Sequence, residues 1–188
     1  MKKLRLDFNA PVILSFASIS LTLLILSSVF GGWVNDAFAI RYTSWLDLRM
    51  YGRLVTHVFA HAGLSHYTNN FLLILAIGPM VEEKYGSSRL LGMMAVTAIL
   101  TGLINVAFFP HIMLMGASGI VFLLILLASF TNVREKTIPI TFLLVCVLYI
   151  GTEVVQGMAS NDNVSQLSHI AGGLVGSFFG FAYRGGKM

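Results

Sequence analysis

Ser118 lies between glycines, in Gly116-Ala117-Ser118-Gly119, at the start of an apolar stretch. The glycines let the backbone turn tightly and let other atoms come close to the hydroxyl. A hydroxyl is a weak nucleophile until a base takes its proton. His169, in the last apolar segment, is the candidate base. A serine paired with an imidazole can attack a carbonyl and later protonate the leaving group, which is acyl-transfer chemistry. His57, His61 and His66 raise a second possibility, because imidazoles at i and i+4 can share a metal ion. No Cys, Asp or Glu stands among them, so no metal is expected, and His57 and His61 are read as bonding loop backbone.

These groups must be held by elements suited to lipid. Of 188 residues, 56% are hydrophobic and 11% charged, with mean hydropathy +0.82; a soluble domain carries about 25% charged residues. Six apolar runs approach the ~20 residues needed to cross the hydrocarbon: 11–30, 66–80, 90–109, 116–130, 138–157 and 167–183. The second, fourth and sixth are short and carry polar residues at one end, as segments facing protein or water do. A serine and a histidine at one depth in such a chain read as an intramembrane protease. Pro11 to Phe30 is expected to be a retained first span, since no small-residue cleavage site follows it. Cys146, the single cysteine, reads as a small buried hydrophobe.

Basic residues set the expected orientation. Lys2, Lys3, Arg5, Lys84, Arg89, Arg134, Lys136, Arg184 and Lys187 fall on one side of the six runs. Arg41, Arg49 and Arg53 all sit in the first long loop. Both termini are therefore expected in the cytoplasm, and the net charge of +4 reports topology, with no case for nucleic acid. No repeat or linker divides residues 1–188, so one domain is expected. The loop 33–65 is rich in aromatics, and alternation over 44–59 predicts short helices in the interface plane. Glu153 is the one acid deep in a predicted span, close enough to its outer end to snorkel to water.

In the sixth run Ser168, Gly172, Gly176 and Gly180 recur every four residues, a stripe that lets helix backbones pack closely in lipid. Its expected partner is the fourth run, which would hold His169 beside Ser118. Together these features resemble the rhomboid intramembrane serine proteases. Gly116-Ala117-Ser118-Gly119 matches the Gly-x-Ser-Gly motif, and the stretch from Ser168 to Gly176 resembles the motif around the catalytic histidine. His61-x4-His66-x3-Asn70 has the spacing of the second-helix signature, and Arg53 stands like the arginine of the Trp-Arg pair.

The resemblance implies an all-α polytopic membrane protein, a six-helix bundle with a long interfacial first loop. It implies a Ser118–His169 dyad without a third member, and no aspartate falls within the six runs. His66 and Asn70, four apart on one helical face, would stabilise the oxyanion with the Ser118 amide. Gly116, Gly119, Phe122 and Gly172 would support the site. Substrates would be single-span membrane proteins cut after a small residue, with no cofactor and no metal. The fifth helix and the loop 158–166 are expected to move to admit them. The active site would open to the outer face of a prokaryotic plasma membrane. Three positions depart from the pattern: Gly52 for tryptophan, Phe122 for tyrosine, and Lys84 for arginine after Glu82, where a lysine would weaken any ion pair. The other reading is a catalytically inactive relative that binds membrane clients. A small transporter is disfavoured, because Glu153 is the one charge within the spans and no inverted repeat is seen.

Overall fold

The computed structural model describes residues 7–131, 137–151 and 163–183. Lys2, Lys3, Arg5, Arg134, Lys136, Glu153, Arg184 and Lys187 lie outside them. Eight α-helices are described: α1 Pro11–Phe30, α2 Trp33–Phe38, α3 Leu48–Thr56, α4 Leu64–Tyr85, α5 Ser87–Phe108, α6 Ser118–Ala128, α7 Ile140–Val145 and α8 Asn163–Tyr183. A π-turn, Cys146–Ile150, continues α7. No strand is formed among the described residues, and this is an all-α polytopic bundle.

Among the described residues two helices have the length and apolarity to cross a bilayer by themselves, α1 and α5, with mean hydropathy 2.3 and 2.0. Helix α1 is apolar all round yet only 28% buried, leaving Ile19, Ile25, Val29 and Phe30 about half exposed or more. A helix of that kind is stable only where its surroundings are also apolar.

Helix α6 forms the centre. It packs against α8, α4 and α5, while α1 lies on α4 and α3 on α5. Its Ile120, Leu123, Leu124, Leu126 and Leu127 are sealed from outside on every face. At 11 residues it is about 16 Å long, half the height of its neighbours, so Ser118 starts a short helix enclosed by long ones.

The boundaries differ from the periodicity reading at α4 and α8. Helix α4 does not end near Met80; it runs through Pro79 to Tyr85 and includes Glu82, Glu83 and Lys84. The acid explains the extension. Glu82 is 3% exposed, and its carboxylate accepts the Val12 and Ile13 N–H groups, both at 3.0 Å, and the Ser87 hydroxyl at 2.7 Å. It therefore caps the N-terminus of α1, whose first amides have no intrahelical acceptor. The lysine at 84 is not its partner; among the described residues the ion pair formed is Arg49–Asp47, at 3.9 Å on the surface. Gly86, at φ +79°, then reverses the chain directly into α5. Replacing Glu82 by alanine would leave buried amides unsatisfied, and we expect a loss of about 3 kcal/mol, with Glu82→Gln losing less. Thermal unfolding in detergent reads this, and an unchanged midpoint for Glu82→Ala would contradict the capping role.

Helix α8 begins at Asn163, four residues before the apolar run starts, so 163–166 of the expected outer loop are helical. Residues 158–162 lie outside the described segments. Over 44–59 one short helix forms, α3, and a second, α2, lies earlier in the loop, with Trp45, Leu46, Leu48 and Tyr51 exposed.

Candidate active site

Helices α4, α6 and α8 run in the same direction, and the groups picked out from sequence all sit near their N-termini. His66 and Asn70 lie in the first two turns of α4, Ser118 is the first residue of α6, and His169 is in the second turn of α8. Three helix N-termini, each with partial positive charge and unsatisfied amides, thus lie at one end of the bundle.

The turn before α6 is fixed by the first loop. Gly116 adopts φ +122°, which L side chains rarely adopt, and its N–H donates to His57 O at 3.0 Å. A Cβ there would come 2.6 Å from the His66 imidazole, so glycine is what lets that ring lie on the turn. The Ala117 N–H donates to His61 Nε2 at 3.3 Å. His61 must then carry its proton on Nδ1, which donates to Phe59 O at 3.1 Å. With the amides of Gly116 and Ala117 engaged, the next one, on Ser118, leads the unsatisfied set of α6.

The glycine stripe of α8 packs on α6. A Cβ on Gly172 would lie 3.0 Å from Gly119 Cα, and one on Gly176 would be 2.7 Å from Leu123 O. One turn before Gly172, the His169 ring stacks on Phe122 with centroids 4.5 Å apart and planes 10° from parallel. Phe122 therefore makes the flat contact without a hydroxyl. His66 and His169 are also within electrostatic reach of each other. Asn70 is buried, and its Nδ2 has no partner among the described residues. A buried amide donor left open is costly, unless something outside the chain accepts from it.

His57 and His61 hold the loop, as their spacing suggested. His57 Nδ1 faces Arg53 O at 3.2 Å and its Nε2 meets Thr101 Oγ1 at 3.3 Å. Arg53 in turn donates from Nε to Ala37 O at 3.1 Å. Position 52 faces open space, so the missing tryptophan leaves the inner contacts of the loop intact. Among the described residues no group of three His, Cys, Asp or Glu is arranged to hold a metal. The polar face of α5, Thr97, Thr101 and Asn105, is buried under the site. Sequence reasoning does not single it out as a unit, although its four-residue spacing is the signal that could have done so. Asn105 Nδ2 donates to Ile112 O at 3.0 Å and Ile40 O at 3.3 Å, beside an isolated antiparallel bridge between Ile40 and Leu114.

Burial pushes both loop histidines down from their ordinary 6.5 to about 4, His66 adding to the effect at His61. Between these values the unfolded chain binds the protons and the folded one does not. Stability is therefore complete above about pH 6.5 and falls as the pH drops towards 4, by about 3 kcal/mol per histidine at most. Thermal unfolding at pH 7.5, 5.5 and 4.5 should show the decline. His57→Asn with His61→Asn should flatten it, and a pH-independent midpoint in the unaltered protein would count against it.

A family model described as Rhomboid domain matches residues 48–186. The chain is 30% identical to Rhomboid protease GluP of Bacillus subtilis over 179 residues, covering 90% of this chain and 34% of that protein. It is 33% identical to Rhomboid-related protein 1 of Caenorhabditis elegans over 140 residues (69% and 39%), and 30% identical to Rhomboid-related protein 2 of Mus musculus over 143 (69% and 47%). The chain thus spans between a third and a half of the length of these relatives.

Proposed function

The chain belongs to the rhomboid family of multi-pass membrane proteins, and from that premise we propose that it is an intramembrane serine endopeptidase with Ser118 as nucleophile and His169 as base. The observation that carries this reading is the seating of α8 on α6. Gly172 against Gly119 and the His169–Phe122 stack hold the imidazole beside the N-terminus on which Ser118 stands. Position is most of what a nucleophile and its base require.

In this mechanism Ser118 Oγ attacks the scissile carbonyl while His169 accepts its proton. The tetrahedral intermediate places a negative oxygen among the Ser118 N–H, His66 and the open Nδ2 of Asn70. Collapse breaks the C–N bond, and His169 delivers the proton to the departing amine. Water then repeats the sequence on the acyl-enzyme and releases Ser118. The converging helix N-termini favour charge of the same sign as the oxyanion. Substrates would be single-span membrane proteins whose helix unwinds near a small residue, since a helical peptide bond is shielded from attack. Movement of α7 would admit them. The expected setting is a plasma membrane with both termini cytoplasmic and the site opening outward, with residues 1–188 forming one domain.

The test is cleavage of a single-span model substrate by the purified protein in liposomes. Asn70→Ala should lower turnover by about 10²-fold while leaving thermal unfolding close to unaltered, and a chelator should have no effect. A folded protein that binds the substrate without cutting it would favour the client-binding reading. Activity lost to a chelator and restored by zinc would point to metal chemistry.

A further inference from the structure

Of His57, His61 and His66, the middle one touches both sides of the space where the oxyanion would form. His61 is fully buried. Its Nε2 accepts the Ala117 N–H at 3.3 Å, one residue ahead of the Ser118 amide. Its ring meets the His66 ring edge to face, with centroids 5.0 Å apart. His66 is confined from the other side by the turn, since a Cβ on Gly116 would come 2.6 Å from its imidazole. One side chain thus contacts both the turn that carries Ser118 and the ring assigned to the oxyanion.

The His61 ring has little freedom of its own. Tyr67 and Phe71 of α4, stacked on each other at 4.5 Å, each lie 5.6 Å from it, and the Tyr67 hydroxyl donates to Ala17 O of α1 at 3.2 Å. Holding the loop needs only the other contacts, Nδ1 donating to Phe59 O and Asn35 Nδ2 donating to His61 O, both at 3.1 Å. With Nδ1 as the donor, Nε2 keeps the lone pair that the Ala117 amide requires. Burial, with His66 adding to it, keeps the ring neutral above about pH 4, so this acceptor persists wherever a neutral His169 could serve as base.

We propose that His61 is a positioning residue, which sets the spacing of the Ser118 amide and His66 and so forms the two sides of the oxyanion site in advance. The role rests on the reading of Ser118 as nucleophile. His61 touches no reacting atom and acts through its two contacts. Displacing a donor by about 1 Å forfeits much of what it contributes to a developing charge.

Two substitutions separate this role from loop anchoring. His61→Asn keeps a donor near the place of Nδ1 and loses the acceptor, whereas His61→Gln brings an amide oxygen to about the place of Nε2. Cleavage of a single-span substrate in liposomes, counted per fluorophosphonate-reactive site, should fall about 30-fold with His61→Asn and no more than about threefold with His61→Gln, KM staying unaltered. In a His66→Ala background His61→Asn should cost at most about threefold, because one of the two groups it spaces is gone. Equal losses in the two variants, or the full loss persisting without His66, would overturn the proposal and leave His61 a loop anchor. Two readouts need no turnover. Ring-nitrogen NMR of the unaltered protein should find the His61 proton on Nδ1, and a proton on Nε2 would refute the contact even where His61→Asn fails to fold. Deuterium exchange at the Ala117 amide should quicken at least about tenfold in His61→Asn and not in His61→Gln; unchanged exchange in both would overturn the proposal. An unaltered protein that cleaves nothing, with this exchange contrast intact, would refute the nucleophile reading and not the hold of His61 on the turn.

Discussion

Replacing Ser118 by alanine is expected to reduce peptide-bond cleavage by roughly 10⁴- to 10⁶-fold, to below detection in a membrane assay, with thermal stability preserved. The side chain is partly exposed at the first turn of α6, so alanine removes a reactive atom without opening a core cavity. His169→Ala should lower activity about as far, because a hydroxyl without its base reverts to a weak nucleophile. The double variant should be no worse than either single one, since the two act as a unit. Losing the Phe122 stack gives His169→Ala a stability cost that Ser118→Ala lacks, which separates chemistry from packing. Labelling by a fluorophosphonate should disappear with Ser118→Ala. Cleavage persisting above about a hundredth of the original rate would remove Ser118 from the mechanism.

Gly172→Val should abolish activity by a different route. A Cβ at this position meets the Gly119 carbonyl carbon at 2.9 Å and its Cα at 3.0 Å. Those are backbone atoms of the turn that carries Ser118, and they cannot rotate away as a side chain would. Helix α8 must move outward, which costs about 1–3 kcal/mol of packing and carries His169 with it. A displacement of about 1 Å is worth about 10²-fold in rate, and valine demands more than that. The adjacent glycine supplies the control. At Gly173 a Cβ finds only Leu126 Cδ2, at 3.8 Å, so Gly173→Ala should fold and cleave normally. Equal sensitivity at the two positions, read by cleavage and thermal unfolding, would mean that the stripe does not position the site.

Both predictions involve features that the order of residues alone makes legible. The glycines around Ser118, the four-residue stripe of α8 and the spacing of His66 and Asn70 each reflect a local rule of close approach or shared helical face. The apolar runs locate the long helices, because composition alone decides which segments tolerate lipid. Helix ends are less legible. Apolarity closes α4 near Met80, since Glu82, Glu83 and Lys84 are charged and follow the apolar run, yet Glu82 lies buried on amides about 70 positions earlier in sequence. No local pattern announces a partner that distant.

The same limit applies at the loop. Sequence suggests that His57 and His61 bond backbone, and each Nδ1 does so locally, at Arg53 O and Phe59 O, but the partners of their Nε2 atoms come from α5 and from the turn before α6, which only the packed chain brings within reach. What the sequence determined by itself was the inventory: an apolar, helical chain with a glycine-flanked serine, a histidine on a small-residue face and an amide on another. What the tertiary structure decided was adjacency. It set the N-termini of α4, α6 and α8 at one end, laid Gly172 on Gly119, and left Asn70 with an open donor. Helix periodicity acts over four residues and is written in the chain, whereas contact between helices depends on how whole faces fit, and that is settled only when they pack.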